Sequence, residues 1–224
     1  MCGRFSLSVE DFELKDRFQV EIDPKIYQPC YNCAPSQRLP VISNHKKQKT
    51  DLYRWGLIPF WAKDPSIGNK LINARAETAS EKPSFRHAMQ RQRCLVPSTG
   101  FFEWNNKGEK QPWYFYLPDV PIFSFAGLWD VWKDAEGHSV LSFTILTTRA
   151  NSTMQDIHHR MPVILTPDQE KIWLEDSEEI PSDLLAPLES IPMRKHKVST
   201  LVNKPENNSP EVIEPIKTTG TLFD

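Results

Sequence analysis

Between Arg93 and Thr148 the sequence runs through five stretches dominated by aromatic and β-branched residues: RCLVP (93–97), FFEW (101–104), WYFYL (113–117), IFSFAGLW (122–129) and VLSFTILTT (140–148). Such residues fit a pleated, half-buried surface, and turn-formers separate some of them at Asn105–Asn106–Lys107–Gly108 and Asp134–Ala135–Glu136–Gly137. Nineteen prolines against eight glycines exclude a bundle of long helices, because an interior proline breaks a helix. LPVIS (39–43), PVIL (162–165) and KHKVST (195–200) add shorter strands. Residues 8–18 read as a helix with Ser8 as N-cap, 76–90 as a helix interrupted early by Pro83, and Pro167 to Leu174 as a helix opening at Thr166. The expected fold class is α+β: a central antiparallel or mixed, barrel-like β-sheet flanked by short helices. No linker divides the chain, so 224 residues are expected as a single domain, with a Pro- and Asn-rich tail from about residue 203.

Several function classes fall away on composition. There is no long apolar run for a membrane span, and MCGRFSLSVE lacks the basic-then-apolar layout of a secretory signal. A cytoplasmic location is therefore expected, nucleoid-associated in a bacterium. No Gly-rich phosphate loop, HExxH metal site or GxSxG elbow is present, so neither a nucleotide cofactor nor a metal is expected. Charge is uneven along the chain. Residues 1–112 carry 18 Lys and Arg against 12 Asp and Glu, a net of +6, and residues 113–224 carry 9 against 17, a net of −8. That distribution permits a basic groove for an anionic ligand and equally a patchwork of solvated surfaces.

Of the four cysteines, Cys30 and Cys33 form a CxxC that suits a redox pair, half of a zinc site, or two ordinary thiols near a turn. Cys2 stands apart. Initiator methionine is normally removed before a small second residue, and a chain that then begins with Cys carries an amine and a thiol on adjacent carbons. The amine has a reference pKa of about 7.7–8.0 and the thiol about 8.5, so both are partly nucleophilic near neutrality. The amine condenses with an aldehyde to an imine, and the thiolate closes on that carbon to give a thiazolidine. A cysteine there by accident, tucked in or disordered at a frayed chain end, remains the plain alternative.

Partners for such chemistry are present. Glu103, in GFFEW, suits proton shuttling if desolvated among aromatics, and the solvent face of an edge strand otherwise. His158, in IHHRMPV, suits proton transfer from a loop. Asn73, in LINARAE, suits orienting a substrate or capping a turn, and Arg75 two residues on suits a phosphate. Aromatic and basic residues interleave in YRWGLIPFWAKD (53–64), as a single-strand-binding surface requires and as a core segment also allows.

MCGRF at the N-terminus, YNCAP (31–35), WGLIPFW (55–61), LINARAE (71–77), GFFEW (100–104) and IHHRMPV (157–163) occur in this order. With them the chain resembles the SOS-response-associated peptidase (SRAP) family of abasic-site processing proteins, from residue 2 to about 165. VSTLVNKPENNSPEVIEPI looks like that family's closing segment. The resemblance implies a covalent crosslink to abasic sites in single-stranded DNA, made by a protein expected to act as a monomer. It implies Cys2 as nucleophile, Asn73 as the positioning amide, Glu103 as proton shuttle and His158 as the aid to sugar-ring opening. It also implies loss of Met1, by self-cleavage or an aminopeptidase, and an abasic-site lyase activity competing with the crosslink. Arg4, Asn32, Trp55, Trp61, Arg75, Thr148 and Arg160 are the residues expected to meet DNA. Cys33 departs from the aliphatic residue expected in YNxAP.

Three rivals share parts of this pattern. One is an N-terminal-nucleophile hydrolase of the glutamine amidotransferase type, and another a cysteine peptidase using Cys2, His158 and Glu103. The third is a zinc-binding interaction module built from Cys30, Cys33, Cys94 and a histidine.

Overall fold

Five strands close on themselves. In the computed structural model, which describes residues 2–105, 110–175, 177 and 180–216, the strands in chain order are β1 (Phe5–Leu7), β2 (Cys30–Cys33), β3 (Arg38–Ser43), β4 (Thr50–Trp55), β5 (Asn73–Arg75), β6 (Arg93–Ser98), β7 (Gly100–Trp104), β8 (Pro112–Tyr116), β9 (Phe123–Lys133), β10 (Ser139–Arg149), β11 (Arg160–Pro162), β12 (Ile164–Leu165) and β13 (Arg194–Lys197). Pairing runs β10–β4–β3–β6–β9 and returns from β9 to β10, which makes a five-stranded barrel. Closure leaves no open edge along that circuit. β5 and β11 pair with β10, and β12 with β9. A second sheet, in the order β13–β8–β7–β1–β2, is antiparallel throughout. The barrel-like α+β class expected from the sequence is the class observed.

The two sheets share one length of chain. β6 leaves the barrel at Ser98, and after Thr99 the chain resumes as β7 of the second sheet. Gly100 marks the step: a Cβ there would lie 2.2 Å from the Tyr114 hydroxyl, so only glycine fits. That hydroxyl bonds Ser6 Oγ at 2.8 Å, and Ser6 Oγ also bonds Thr99 Oγ1 at 2.8 Å. Aromatic rings fill the space between the sheets. Phe5 lies against Trp55 (centroids 5.2 Å apart) and edge-on to Phe125, and Phe101 stacks on Phe115 and meets Phe125 edge-on. Such pairs add about 0.5–1.5 kcal/mol each beyond the area they bury.

The helices are short: α1 (Asp11–Phe18), α2 (Arg86–Arg91) and α3 (Pro167–Trp173). α3 opens at Thr166 as expected, with a reciprocal capping box to Gln169. Three expectations need correcting. α1 is capped by Glu10 paired with Glu13, and Ser8 turns away to bond Thr99. The helix expected over 76–90 is a single 3-10 turn at Ala76–Thr78 followed by α2, because Pro83 has no N–H to donate and disfavours helix in the residue before it. PVIL is split: Pro162 pairs with β10 and Ile164 with β9, with Val163 bonded to both at the crossing. The expected turn at Asn105–Gly108 falls mostly outside the described residues.

The segment expected as a tail is packed as far as Ile216. Val198, Val202 and Val212 are buried against Phe102 and Tyr114. The Asn32 amide donates to the carbonyls of Val202, Lys204 and Asn207. No helix among the described residues is long and apolar enough to cross a membrane.

Arg93 is the charged side chain most deeply enclosed, at 1% exposure. Its guanidinium donates to Met89 O and Gln90 O at the end of α2, and to Trp173 O and Glu175 O at the end of α3. One cation thus satisfies the orphan carbonyls of two helix ends, where negative dipole charge accumulates. Arg93→Met keeps the volume but strands those carbonyls, so we expect a loss of about 3 kcal/mol and a thermal midpoint lower by roughly 10 °C. Calorimetry of the two proteins checks this; an unchanged midpoint would refute the role.

Candidate active site

Cys2 precedes β1 and is carried inward by it. Phe5 pairs with Cys33 on one side and Phe101 on the other, and Phe102 N donates to Arg4 O at 3.0 Å. With both edges of β1 held, Cys2 is fully buried, its Sγ 3.7 Å from Arg4 O. An exposed cysteine at a reactive chain end is therefore not what is found. Burial, reinforced by the nearby charge of Glu103, pushes the Cys2 thiol up to about 12.

Three other elements deliver the remaining residues of the expected set. Asn73 opens β5, whose parallel pairing with β10 sets it opposite Ile145. Its Nδ2 donates to Cys2 O at 2.8 Å, while its buried Oδ1 has no hydrogen-bond partner among the described residues. Glu103 lies on β7, 4% exposed, so the solvent-face alternative is excluded. His158 sits in the turn before β11. Its Nδ1 lies 2.9 Å from Arg160 N and 3.1 Å from Arg160 O, so it accepts from the one or donates to the other according to the tautomer. Burial lowers the His158 pKa and the neighbouring Glu103 charge opposes that fall. Glu103 thus acts electrostatically on both Cys2 and His158, and Asn73 holds Cys2 directly. The four residues form one cluster at the junction of barrel and second sheet.

The residues expected to meet DNA divide into two groups. Arg75 is exposed on β5. Trp61 is 47% exposed and Phe60 beside it 54%, on a groove of about 680 Å³ also lined by Arg86, His87 and Gln90. Phe60 packs against the His87 ring at 5.3 Å. Arg86 and His87 escaped the sequence reading because they stood inside an expected helix. Far from Phe60 and Trp61 along the chain, they meet them only once α2 is placed.

Trp55 is corrected outright. It has no exposed surface, stacks on Phe143 and donates its indole N–H to Ile72 O at 2.9 Å, so no base can reach it. Asn32 is likewise fully buried, its amide committed to the C-terminal segment. Thr148 is buried on β10 opposite Met161. Arg4 is half-buried and donates to Asn32 Oδ1 at 2.7 Å and Val202 O at 2.6 Å. Arg160 makes a bidentate pair with Glu77 at 2.7 and 2.8 Å. These residues frame the site more than they face outward from it.

A zinc site from Cys30, Cys33, Cys94 and a histidine is not assembled. Cys94 is buried in the barrel wall beside Gly127, and the one cluster of three candidate ligands among the described residues is Asp134, Glu136 and His138 in an exposed turn.

Relatives of known name match most of the chain. It is 45% identical to the abasic site processing protein YoqW of Bacillus subtilis, over 96% of this chain and 99% of that one. It is 34% identical to the abasic site processing protein HMCES of Xenopus tropicalis, over 87% of this chain and 68% of the relative. A crystal structure of a Bacteroides thetaiotaomicron protein superposes with a TM-score of 0.87 at 34% identity, covering 96% and 99% of the two chains. The family described as SOS response associated peptidase matches residues 1–205. From its β-barrel to the motifs gathered around Cys2, the chain belongs to the SOS response associated peptidase (SRAP) family.

Proposed function

We propose that this protein processes abasic sites in single-stranded DNA by forming a covalent thiazolidine through Cys2, as an enzyme of the lyase type with a peptidase step directed at its own Met1. The observation that carries the reading is the cluster itself: the carbonyl of Cys2 held by Asn73, with Glu103 acting on both the Cys2 thiol and His158. The names of its relatives and of its family agree with the substrate and with the peptidase step.

While Met1 is attached, the Cys2 nitrogen is an amide and cannot condense with a carbonyl. Hydrolysis of the Met1–Cys2 bond adds water across it and releases the amine. An abasic sugar is mostly a closed hemiacetal, and opening it requires a proton off the C1 hydroxyl and one delivered to the ring oxygen. Glu103 accepts the first, and His158, protonated as the imidazolium, supplies the second and returns to the neutral ring. The amine then adds to the aldehyde and water leaves, giving an imine. The Cys2 thiol adds across the C=N bond, sulfur to carbon and proton to nitrogen, which closes the five-membered ring. An imine at C1 also acidifies the neighbouring C–H, the route to β-elimination and strand cleavage. Ring closure removes that imine and so protects the strand. Asn73 Oδ1, without a hydrogen-bond partner among the described residues, takes a hydrogen bond from the sugar or the new amine in this reading. Arg75 and the Trp61 groove supply charge and a stacking face, so affinity should fall with salt and depend little on base sequence.

Cys2→Ala, with its amine intact, is expected to lose stable crosslinking while retaining some strand cleavage on an abasic oligonucleotide. Glu103→Gln should slow crosslinking roughly a hundredfold while binding to undamaged single strands changes by less than about threefold. Stable, uncleaved adduct from Cys2→Ala on a denaturing gel would overturn the reading.

The raised thiol gives a second test. A thiol with a pKa of about 12 is about one part in ten thousand thiolate at pH 8. In a chain retaining Met1, alkylation of Cys2 followed by peptide mapping should therefore climb with pH throughout the alkaline range. Intact mass spectrometry identifies the form lacking Met1, in which Cys2 should alkylate faster at pH 8. Equal rates for the two forms would mean that Met1 does not mask the site.

A further inference from the structure

The CxxC has a geometry of its own on the far edge of β1 from Glu103. Residues three apart in a regular strand face opposite sides of the sheet. In β2 the register against β1 runs from Cys33 opposite Phe5 to Cys30 opposite Leu7, so three steps on β2 match two on β1. That extra residue is a β-bulge, and it turns Cys30 and Cys33 to the same side. Each thiol acts on the other's ionisation, and Cys33 Sγ approaches Cys30 O at 3.7 Å. Both are free thiols here.

Their surroundings differ. Cys33 has no exposed surface, whereas Cys30 is half-buried; both line a cavity of about 350 Å³ together with Tyr27, Gln28, Arg38 and Asn208. The Cys30 thiol is pulled down to about 7, first by its contact with Cys33, with help from the Asn32 backbone and the Arg4 charge. Burial and the same contact push Cys33 well up. An accessible sulfur readily ionised, beside an enclosed one that is not, is the division between an attacking and a resolving cysteine. Two sulfurs alone make an incomplete metal site, and no third donor joins them among the described residues.

We propose that Cys30 and Cys33 form a second reactive site, a dithiol that reduces hydroperoxides and is reversibly converted to a disulfide. The Cys30 thiolate attacks the terminal oxygen of a hydroperoxide; an S–O bond forms, the O–O bond breaks, and the leaving alkoxide or hydroxide takes up a proton. The Cys33 sulfur then displaces the hydroxyl from Cys30. The S–S bond forms, the S–O bond breaks, and water departs with the Cys33 proton. Two thiols lose two hydrogens in all, and the hydroperoxide is reduced to an alcohol, or water, plus one water. A dithiol reductant returns the pair by exchange. The chemistry needs neither DNA nor a free N-terminus and so stands apart from the reaction at Cys2.

The reduced protein treated with one equivalent of hydrogen peroxide and mapped without reduction should show a Cys30–Cys33 disulfide before any change at Cys94, reversed by dithiothreitol. Cys33→Val, an aliphatic replacement suited to its buried position, should stop the reaction at a Cys30 sulfenic acid that dimedone traps. Cys30→Ser, at the half-buried position, should slow peroxide oxidation of Cys33 by roughly tenfold or more. If Cys33→Val does not fold, the wild-type map and Cys30→Ser decide the matter. Absence of the disulfide, or oxidation of Cys30 no faster than of Cys94, would overturn the proposal.

Discussion

A three-residue strand held on both edges governs the chemistry of this protein. β1 is only Phe5–Leu7, too short to keep a place by itself, yet β2 and β7 bond it from either side. Phe5 fixes its depth by entering the aromatic layer between barrel and sheet, against Trp55 and Phe125. Cys2 follows from that placement. A chain end normally frays because nothing offsets the entropy of ordering it. Here backbone pairing and ring packing draw the end inward until its second residue meets Asn73 and the field of Glu103.

The same strand joins two regions of different chemistry. Towards β7 lies a carboxylate acting on a thiol and an imidazole. Towards β2 lies a bulge that sets two thiols side by side. Arg4 stands between them, tied to Asn32 and to Val202 O, and its charge helps ionise Cys30. The C-terminal segment is part of this arrangement, since its carbonyls take up the Asn32 amide and orient the residue that orients Arg4. What looked in the sequence like a polar tail packs on the sheet on which the site is built.

Much of the architecture was legible because strand formation here is local. Aromatic and β-branched runs from Arg93 onward marked β6 to β10, and Thr166 with Pro167 marked the start of α3. The errors also have local causes. Ser8 is a good cap by type, but its hydroxyl is drawn to Thr99 across the sheet, and Glu10 caps instead. Trp55 and Trp61, six residues apart in one aromatic segment, carry the same composition signal. One stacks inside the barrel on Phe143 and the other lies on a groove, a difference set by where β4 ends.

By itself the sequence determined the covalent possibilities: a cysteine at position 2, a carboxylate among aromatics, a histidine before a strand, and a CxxC. Motifs in fixed order tied that set to one family. Only the tertiary structure decided which groups act on one another. Asn73, Glu103 and His158 are far apart along the chain and meet because β5 and β11 both pair with β10, while β7 continues from the barrel strand β6. Burial is likewise a property of the closed barrel and of no single segment. It excludes water from around Cys2, raising its thiol, and leaves Cys30 at a cavity wall, where contact with its neighbour lowers it.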